Sequence, residues 1–167
     1  MAIGRDMTEI DYIFSKYSEA VNDNPNDTKV YEDRGFHFYH KGYYDLAIED
    51  YNKIIQLDPR NLDAYRQRGV SYFLIKEYIK AIEDFNYVLQ FNPDDAGMYR
   101  LRGKAWAQEN EYDNAIADFS NALRIEPNFL ENFDKEVFTA LNEIKSDLIK
   151  KKKHDQKGEQ EFERTKN

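Results

Sequence analysis

"AIEDYNKIIQLDP" (Ala47–Pro59) recurs with substitutions as "AIEDFNYVLQFNP" (Ala81–Pro93) and "AIADFSNALRIEP" (Ala115–Pro127), each copy starting 34 residues after the one before. Within a copy the apolar residues share one side of a helix. Ala81, Phe85, Val88 and Leu89 follow one another at intervals of four, three and one, the stripe of an amphipathic α-helix. The closing proline cannot continue a helix interior, so it marks where the unit stops.

The same grid extends outward from this phrase. All four prolines (Pro25, Pro59, Pro93 and Pro127) lie on it. Tyr31, Tyr65 and Tyr99 are each followed by Arg34, Arg68 or Arg102 and then by Gly35, Gly69 or Gly103. Phe38, Tyr72 and Trp106 come next, then Tyr44, Tyr78 and Tyr112, then Tyr51, Phe85 and Phe119. Three tandem units therefore begin near Thr28, Leu62 and Ala96. The first half of a unit is also helical in period, as Tyr65, Val70, Tyr72 and Phe73 show. Short polar stretches such as "AQENEYD" suit the turn of an antiparallel helix pair. Asp27, Asn61 and Asp95, two residues after their prolines, are placed to cap the next helix.

A glycine inside a helix costs about 1 kcal/mol relative to alanine. Three of them at one phase predict a close helix approach, with Ala47, Ala81 and Ala115 as the expected small partners. The in-phase aromatics then fill the space on either side, each contributing about 1.5–3 kcal/mol on full burial.

Composition narrows the function classes. A formal charge of −8 disfavours a general nucleic-acid binder, which needs a concentrated basic surface. No cysteine is present, so there is no thiolate nucleophile, disulfide or Cys-based zinc site. "MAIGRDMTEIDYIFSKY" holds no apolar run of the signal-peptide kind, and Met7 is a second possible start. No stretch is long and apolar enough for a bilayer span. The expected compartment is cytoplasmic, with no membrane and no nucleic-acid partner.

The period of 34, the helix–turn–helix unit and the in-phase small and aromatic residues resemble the tetratricopeptide repeat. The resemblance covers Thr28 to Pro127. It implies an all-α fold, a right-handed α-solenoid of three repeats at 28–61, 62–95 and 96–129. Flanking these would be an N-terminal partial repeat or capping helix (1–27), a C-terminal capping helix (130–153) and a disordered tail (154–167).

One departure from the family is regular. Its usual leucine before the glycine is Arg34, Arg68 or Arg102 here. Asp50, Asp84 and Asp118 recur sixteen residues later. Each arginine is predicted to pair with a grid aspartate, in its own or a neighbouring repeat, as a structural ion pair that fixes helix register.

A solenoid must cover its exposed ends. Ile13, Tyr17 and Ala20 stand 34 residues ahead of Ala47, Tyr51 and Ile54, so the N-terminal segment reads as the second helix of an incomplete repeat. At the other end Glu136 and Val137 replace the Arg–Gly pair, and the repeat decays. Leu130, Phe133, Val137, Leu141, Ile144 and Leu148 still form an apolar stripe at helical spacing. Its overhang either lies back on the solenoid or makes a dimer seam, so the chain is read as a monomer or weak homodimer. Lys150 to Lys153 read as part of a solvated tail.

No catalytic pattern is present: neither HExxH, GxSxG, a Walker motif nor GxGxxG. His37 and His40 share a helix face, but they read as packing or groove residues rather than metal ligands. No enzyme activity, metal or cofactor is expected.

Tetratricopeptide arrays generally bind proteins, and the resemblance implies that first helices line a concave groove. Carried over, the groove comprises Phe36, Tyr39 and His40 in the first repeat, beside Lys29, Glu32 and Asp33. The second repeat supplies Arg66, Gln67, Val70, Phe73 and Leu74 beside Asp63. The third supplies Arg100, Leu101, Lys104 and Gln108 beside Gly97 and Ala107. Apolar surface rimmed by charge suits a protein or peptide partner. Chaperone-binding members share a Lys/Asn/Arg clamp for a C-terminal carboxylate. Its places here hold Glu32, Phe36, Gln67, Gly97 and Leu101, so no such clamp is expected. The leading expectation is a non-catalytic scaffold that holds a partner segment in the groove. The alternative is a self-associating assembly protein that uses the C-terminal helix or the open ends.

Overall fold

The computed structural model describes residues 7–128 and, beyond them, residues 135, 138, 139, 142, 143, 145, 146, 149 and 150. Residues 1–6, the tail from 151 onward and the apolar stripe from Leu130 to Leu148 lie outside the described residues. Among the described residues the chain is all-α, and its helices pair as hairpins without a strand. It divides into two compact units, residues 1–93 and 94–167.

The first unit contains α1 (Met7–Asp23), α2 (Thr28–His40), α3 (Tyr44–Leu57), α4 (Leu62–Leu74) and α5 (Tyr78–Phe91). α2 packs on α3, α4 on α5, α3 on α4, and α1 on α2. Its core gathers Ile13, Tyr31, Phe38, Tyr43, Ala47, Tyr51, Ile54 and Ala64. The α1 contribution differs in one place from the repeat phase. Ile13 is buried and Tyr17 half-buried, but Ala20 is exposed and Val21 packs on the core instead. An alanine at the phase of Ile54 is too short to reach the core, and the next residue supplies the contact. Phe14 also leans on Phe38, with ring centroids 5.3 Å apart.

The second unit contains α6 (Ala96–Gln108) and α7 (Tyr112–Ile125). Ala96, Ala115, Phe119 and Ala122 are buried between them, with Phe138 packed alongside. Phe138 meets Phe119 at 6.2 Å between centroids, and Lys145 Nζ lies 2.8 Å from Asp113 Oδ1. The described residues after position 128 are helical, and Phe138 and Lys145 among them contact α7.

Local chemistry sets the helix ends. The side chains of Asp27, Asn61 and Asp95 accept hydrogen bonds from the backbone N–H groups of Lys29, Ala64 and Met98, using donors that a helix start leaves unpaired. At the C-termini of the first helices the chain turns through a left-handed residue at Gly42, Lys76 and Asn110, with φ of +77°, +67° and +62°. Tyr43, Glu77 and Glu111 then donate their backbone N–H groups back to the carbonyls of Phe38, Tyr72 and Trp106 at 2.9 Å. This is a Schellman closure. It is repeated at a spacing of 34 although only the first copy uses glycine.

The close approach at the helical glycines has different partners from the expected alanines. A Cβ placed on Gly69 would lie 2.7 Å from Phe85 Cε1 and 3.0 Å from Asp84 Cβ. On Gly35 it would meet Asp50 Cβ at 3.1 Å and the Tyr51 ring at 3.2 Å. Only at Gly103 is an alanine atom among the nearest, the Ala115 carbonyl oxygen at 3.3 Å. The glycine makes room for the buried aspartate stem and the aromatic ring, which are larger than alanine and demand the space more strictly.

Candidate functional site

Each hairpin carries a buried ion pair. Arg34 Nη2 lies 2.6 Å from Asp50 Oδ1 and its Nε donates to Oδ2 at 3.0 Å. Arg68 and Arg102 hold Asp84 and Asp118 through the same two-pronged arrangement, with bonds of 2.6–2.9 Å. All three aspartates belong to the arginine's own repeat. Their side chains are only 3–5% exposed, against 15–19% for the arginines. Burial pushes all three carboxyls above the ordinary aspartate range, although the arginine bonds pull the other way. The Arg34 guanidinium is held more firmly protonated by its bond to Asp50. The aspartates are buried within the hairpins, and the arginines stay partly exposed. Arg68 additionally donates to Asn52 Oδ1 at 2.6 Å, which ties α4 to α3.

A cleft of the first unit lies between the first helices α2 and α4, over α3. Its volume is about 350 Å³. Thr28, Glu32 and Phe36 descend from α2, Asn61, Asp63, Ala64 and Gln67 line the α4 side, and Tyr51 and Ile54 of α3 lie between. Phe36 is 56% exposed, and its ring sits 4.1 Å from that of His40. Tyr51 is 1% exposed. Its hydroxyl has no hydrogen-bond partner among the described residues, and burial drives its pKa upward.

Of the groove residues expected from sequence, Phe36 and Gln67 line this cleft. Tyr39 is half-buried against the core, 5.7 Å from Tyr44. Arg66 is half-buried, with Nε 3.7 Å from Asp63 Oδ1. Val70 and Phe73 are half-buried, Phe73 against Tyr78 at 5.4 Å, and Leu74 is exposed. In the second unit Arg100, Leu101 and Lys104 are half-buried on α6 and Gln108 is exposed. Tyr51, Ile54, Asn61, Ala64 and Thr28 were not among the residues expected here. For Tyr51 a signal existed, since among the three full repeats it carries a hydroxyl at the phase held by Phe85 and Phe119.

Among the described residues no group of three or more His, Cys, Asp or Glu side chains could hold a metal ion. No helix among them is long and apolar enough to cross a membrane.

Comparison with known proteins defines the class. Family models described as "TPR repeat" and "Tetratricopeptide repeat" match residues 37–76, 62–95 and 80–128. Together they span more than half of the chain, which belongs to the tetratricopeptide-repeat family, whose members are generally non-catalytic interaction modules. Among solved structures it is similar to the first TPR domain of Spaghetti (RPAP3) bound to the HSP90 peptide SRMEEVD. That likeness has a TM-score of 0.65 and 25% identity, over 71% of this chain and 93% of the other. The second TPR domain of human RPAP3, in complex with the HSP70 peptide SGPTIEEVD, is similar at a TM-score of 0.61 and 25% identity. It covers 67% of this chain and 92% of its own. MamA protein is similar at a TM-score of 0.72 and 25% identity, over 78% of this chain and 70% of the other. No curated protein matches the sequence.

Proposed function

We propose that the chain is a scaffold that binds a segment of a partner protein along the first-helix faces of its repeats, and does so without a carboxylate clamp. The observation that carries this reading is the cleft between α2 and α4, where a phenylalanine 56% exposed stands beside charged residues. A core has no need of an exposed ring there, whereas a partner side chain can bury it. Val70, Phe73 and Leu74 continue an apolar strip along α4, and Arg66 can orient a partner's carbonyls or carboxylates. Tyr39 and His40 extend the surface on α2. Arg100, Leu101, Lys104 and Gln108 offer the corresponding face of α6.

The likeness to two peptide-bound TPR domains supports a peptide or protein as the ligand class. The acidic ends of those two peptides do not suit this chain. Glu32 lines the cleft and Phe36 and Gln67 stand beside it, so an incoming carboxylate meets a like charge rather than a cation.

The test is affinity capture from host lysate with the wild type and with Arg66→Ala/Phe73→Ala, after circular dichroism has shown both folded. Partners retained by the wild type and lost from the variant are expected. Partners held equally by both would overturn groove binding and favour the ends of the array.

A further inference from the structure

The cleft between α2 and α4 carries a second message, about what enters it. This inference rests on the groove reading and specifies its ligand. Tyr51 is 1% exposed, lines the cleft, and offers a hydroxyl with no partner among the described residues. A buried polar group without a partner is costly. The fold does not need this one, because Phe85 and Phe119 fill the same place in the other repeats with no hydroxyl. The charges around the cleft have one sign: Glu32 and Asp63 line it, and no lysine or arginine does. Lys29 and Arg66 do contact these carboxylates, at 3.2 and 3.7 Å, from outside the lining. Glu32 and Asp63 are largely solvent-exposed, and such pairs exchange readily for a better partner. Phe36 and Ile54 add apolar walls to the same cleft.

We propose that this cleft receives an arginine or lysine side chain of the bound segment. Its methylene stem lies along Phe36 and Ile54, as long basic side chains cover apolar surface while their heads stay with polar groups. Its cationic head donates to Glu32 and Asp63 and to Tyr51 Oη. The exposed face of Phe36 adds a favourable site for the same charge. An acidic side chain would face two carboxylates, and a purely aliphatic one would leave the hydroxyl unsatisfied.

The test uses acetylated, amidated heptapeptides of alanine with a central arginine, lysine, glutamate or leucine, titrated into the full ¹⁵N-labelled chain. The arginine and lysine peptides are expected to shift the amide signals of α2 and α4 around Glu32, Phe36, Asp63 and Gln67, with binding that weakens as salt rises. Glu32→Gln/Asp63→Asn should weaken the arginine peptide about tenfold or more and remove most of that salt dependence. Tyr51→Phe should weaken it several-fold while the free protein resists urea at least as well as wild type, because an unpaired hydroxyl has been removed. The proposal is overturned if the arginine peptide binds all variants alike, if Tyr51→Phe lowers the urea midpoint, or if no peptide shifts α2 and α4. If the leucine or glutamate peptide shifts these helices and the arginine peptide does not, the charge assignment fails and groove binding stands. If shifts fall only on α3 and α5, the groove reading itself fails.

Discussion

Replacing Arg68 by leucine, the residue its family usually places there, should destabilise the protein more than removing the aspartate it holds. Asp84 is 5% exposed and takes two bonds from Arg68, at 2.6 and 2.9 Å. Without the guanidinium it would remain a buried carboxylate with nothing to neutralise it, a change that costs about 3–5 kcal/mol. Arg68→Leu also removes the 2.6 Å bond to Asn52. Asp84→Asn is milder. The carboxamide keeps one acceptor for the guanidinium, and Arg68, 18% exposed and still bonded to Asn52, can reach water. About 1–3 kcal/mol is expected.

The double variant Arg68→Leu/Asp84→Ala removes both charges and should recover to near wild-type stability, since apolar replacement of a buried pair is often neutral or better. Acidity adds a second signature. Burial already raises the Asp84 carboxyl in the folded protein, and Arg68 is what opposes the rise. In Arg68→Leu the folded state takes up a proton more readily than the unfolded chain, so stability grows as pH falls toward the ordinary aspartate value of about 4. Urea unfolding followed by far-ultraviolet circular dichroism at pH 7 and pH 5 reads both effects. The gap between wild type and Arg68→Leu should narrow at pH 5. A gap below about 1 kcal/mol that ignores pH, or an Asp84→Asn variant weaker than Arg68→Leu, would refute the reasoning.

Gly69→Ala should be the worst of the three glycine replacements. The new Cβ meets the fully buried Phe85 ring at 2.7 Å, and overpacking of about 1–3 kcal/mol outweighs the helix-propensity gain of about 1 kcal/mol. Gly35→Ala, with nothing nearer than 3.1 Å, should be closer to neutral in the same urea assay. Lys76→Gly should stabilise by about 1 kcal/mol, because the left-handed turn at φ +67° is cheap only for glycine. Its thermal midpoint should rise, and that of Gly42→Ala should fall. Asn61→Ala removes the cap to Ala64 N–H at 2.9 Å and should cost about 1 kcal/mol, read as a lower urea midpoint.

How much the sequence discloses varies along the chain for physical reasons. Helix positions and caps are legible because each repeat solves the same packing problem and returns to the same residue types, as Tyr31, Tyr65 and Tyr99 or Asp27, Asn61 and Asp95 do. The arginine–aspartate pairs can be read from a constant spacing of sixteen. The left-handed turn at Lys76 is not legible, because hydrogen bonding of the turn imposes that conformation on a residue whose type does not announce it, whereas Gly42 and Asn110 are of the types that favour it. The glycines disclose that something comes close, and only coordinates disclose that it is an aspartate stem and a ring. In the C-terminal segment, the described aromatic contact to α7 comes from Phe138, and the residues of the apolar stripe read from spacing lie outside the described residues. On α2 and α4 the cleft includes Phe36 and Gln67, which the family resemblance implies, whereas its α3 wall is hidden. Tyr51 sits at a core phase, and its significance rests on one hydroxyl.

The central claim is that partners bind on first-helix faces. Hydrogen exchange measured on the full chain, free and saturated with a captured partner segment, tests it most directly. Protection is expected to gather on α2, α4 and α6 while α3, α5 and α7 exchange as in the free protein. Protection confined to α3, α5 and α7, or to residues beyond 128, would contradict it.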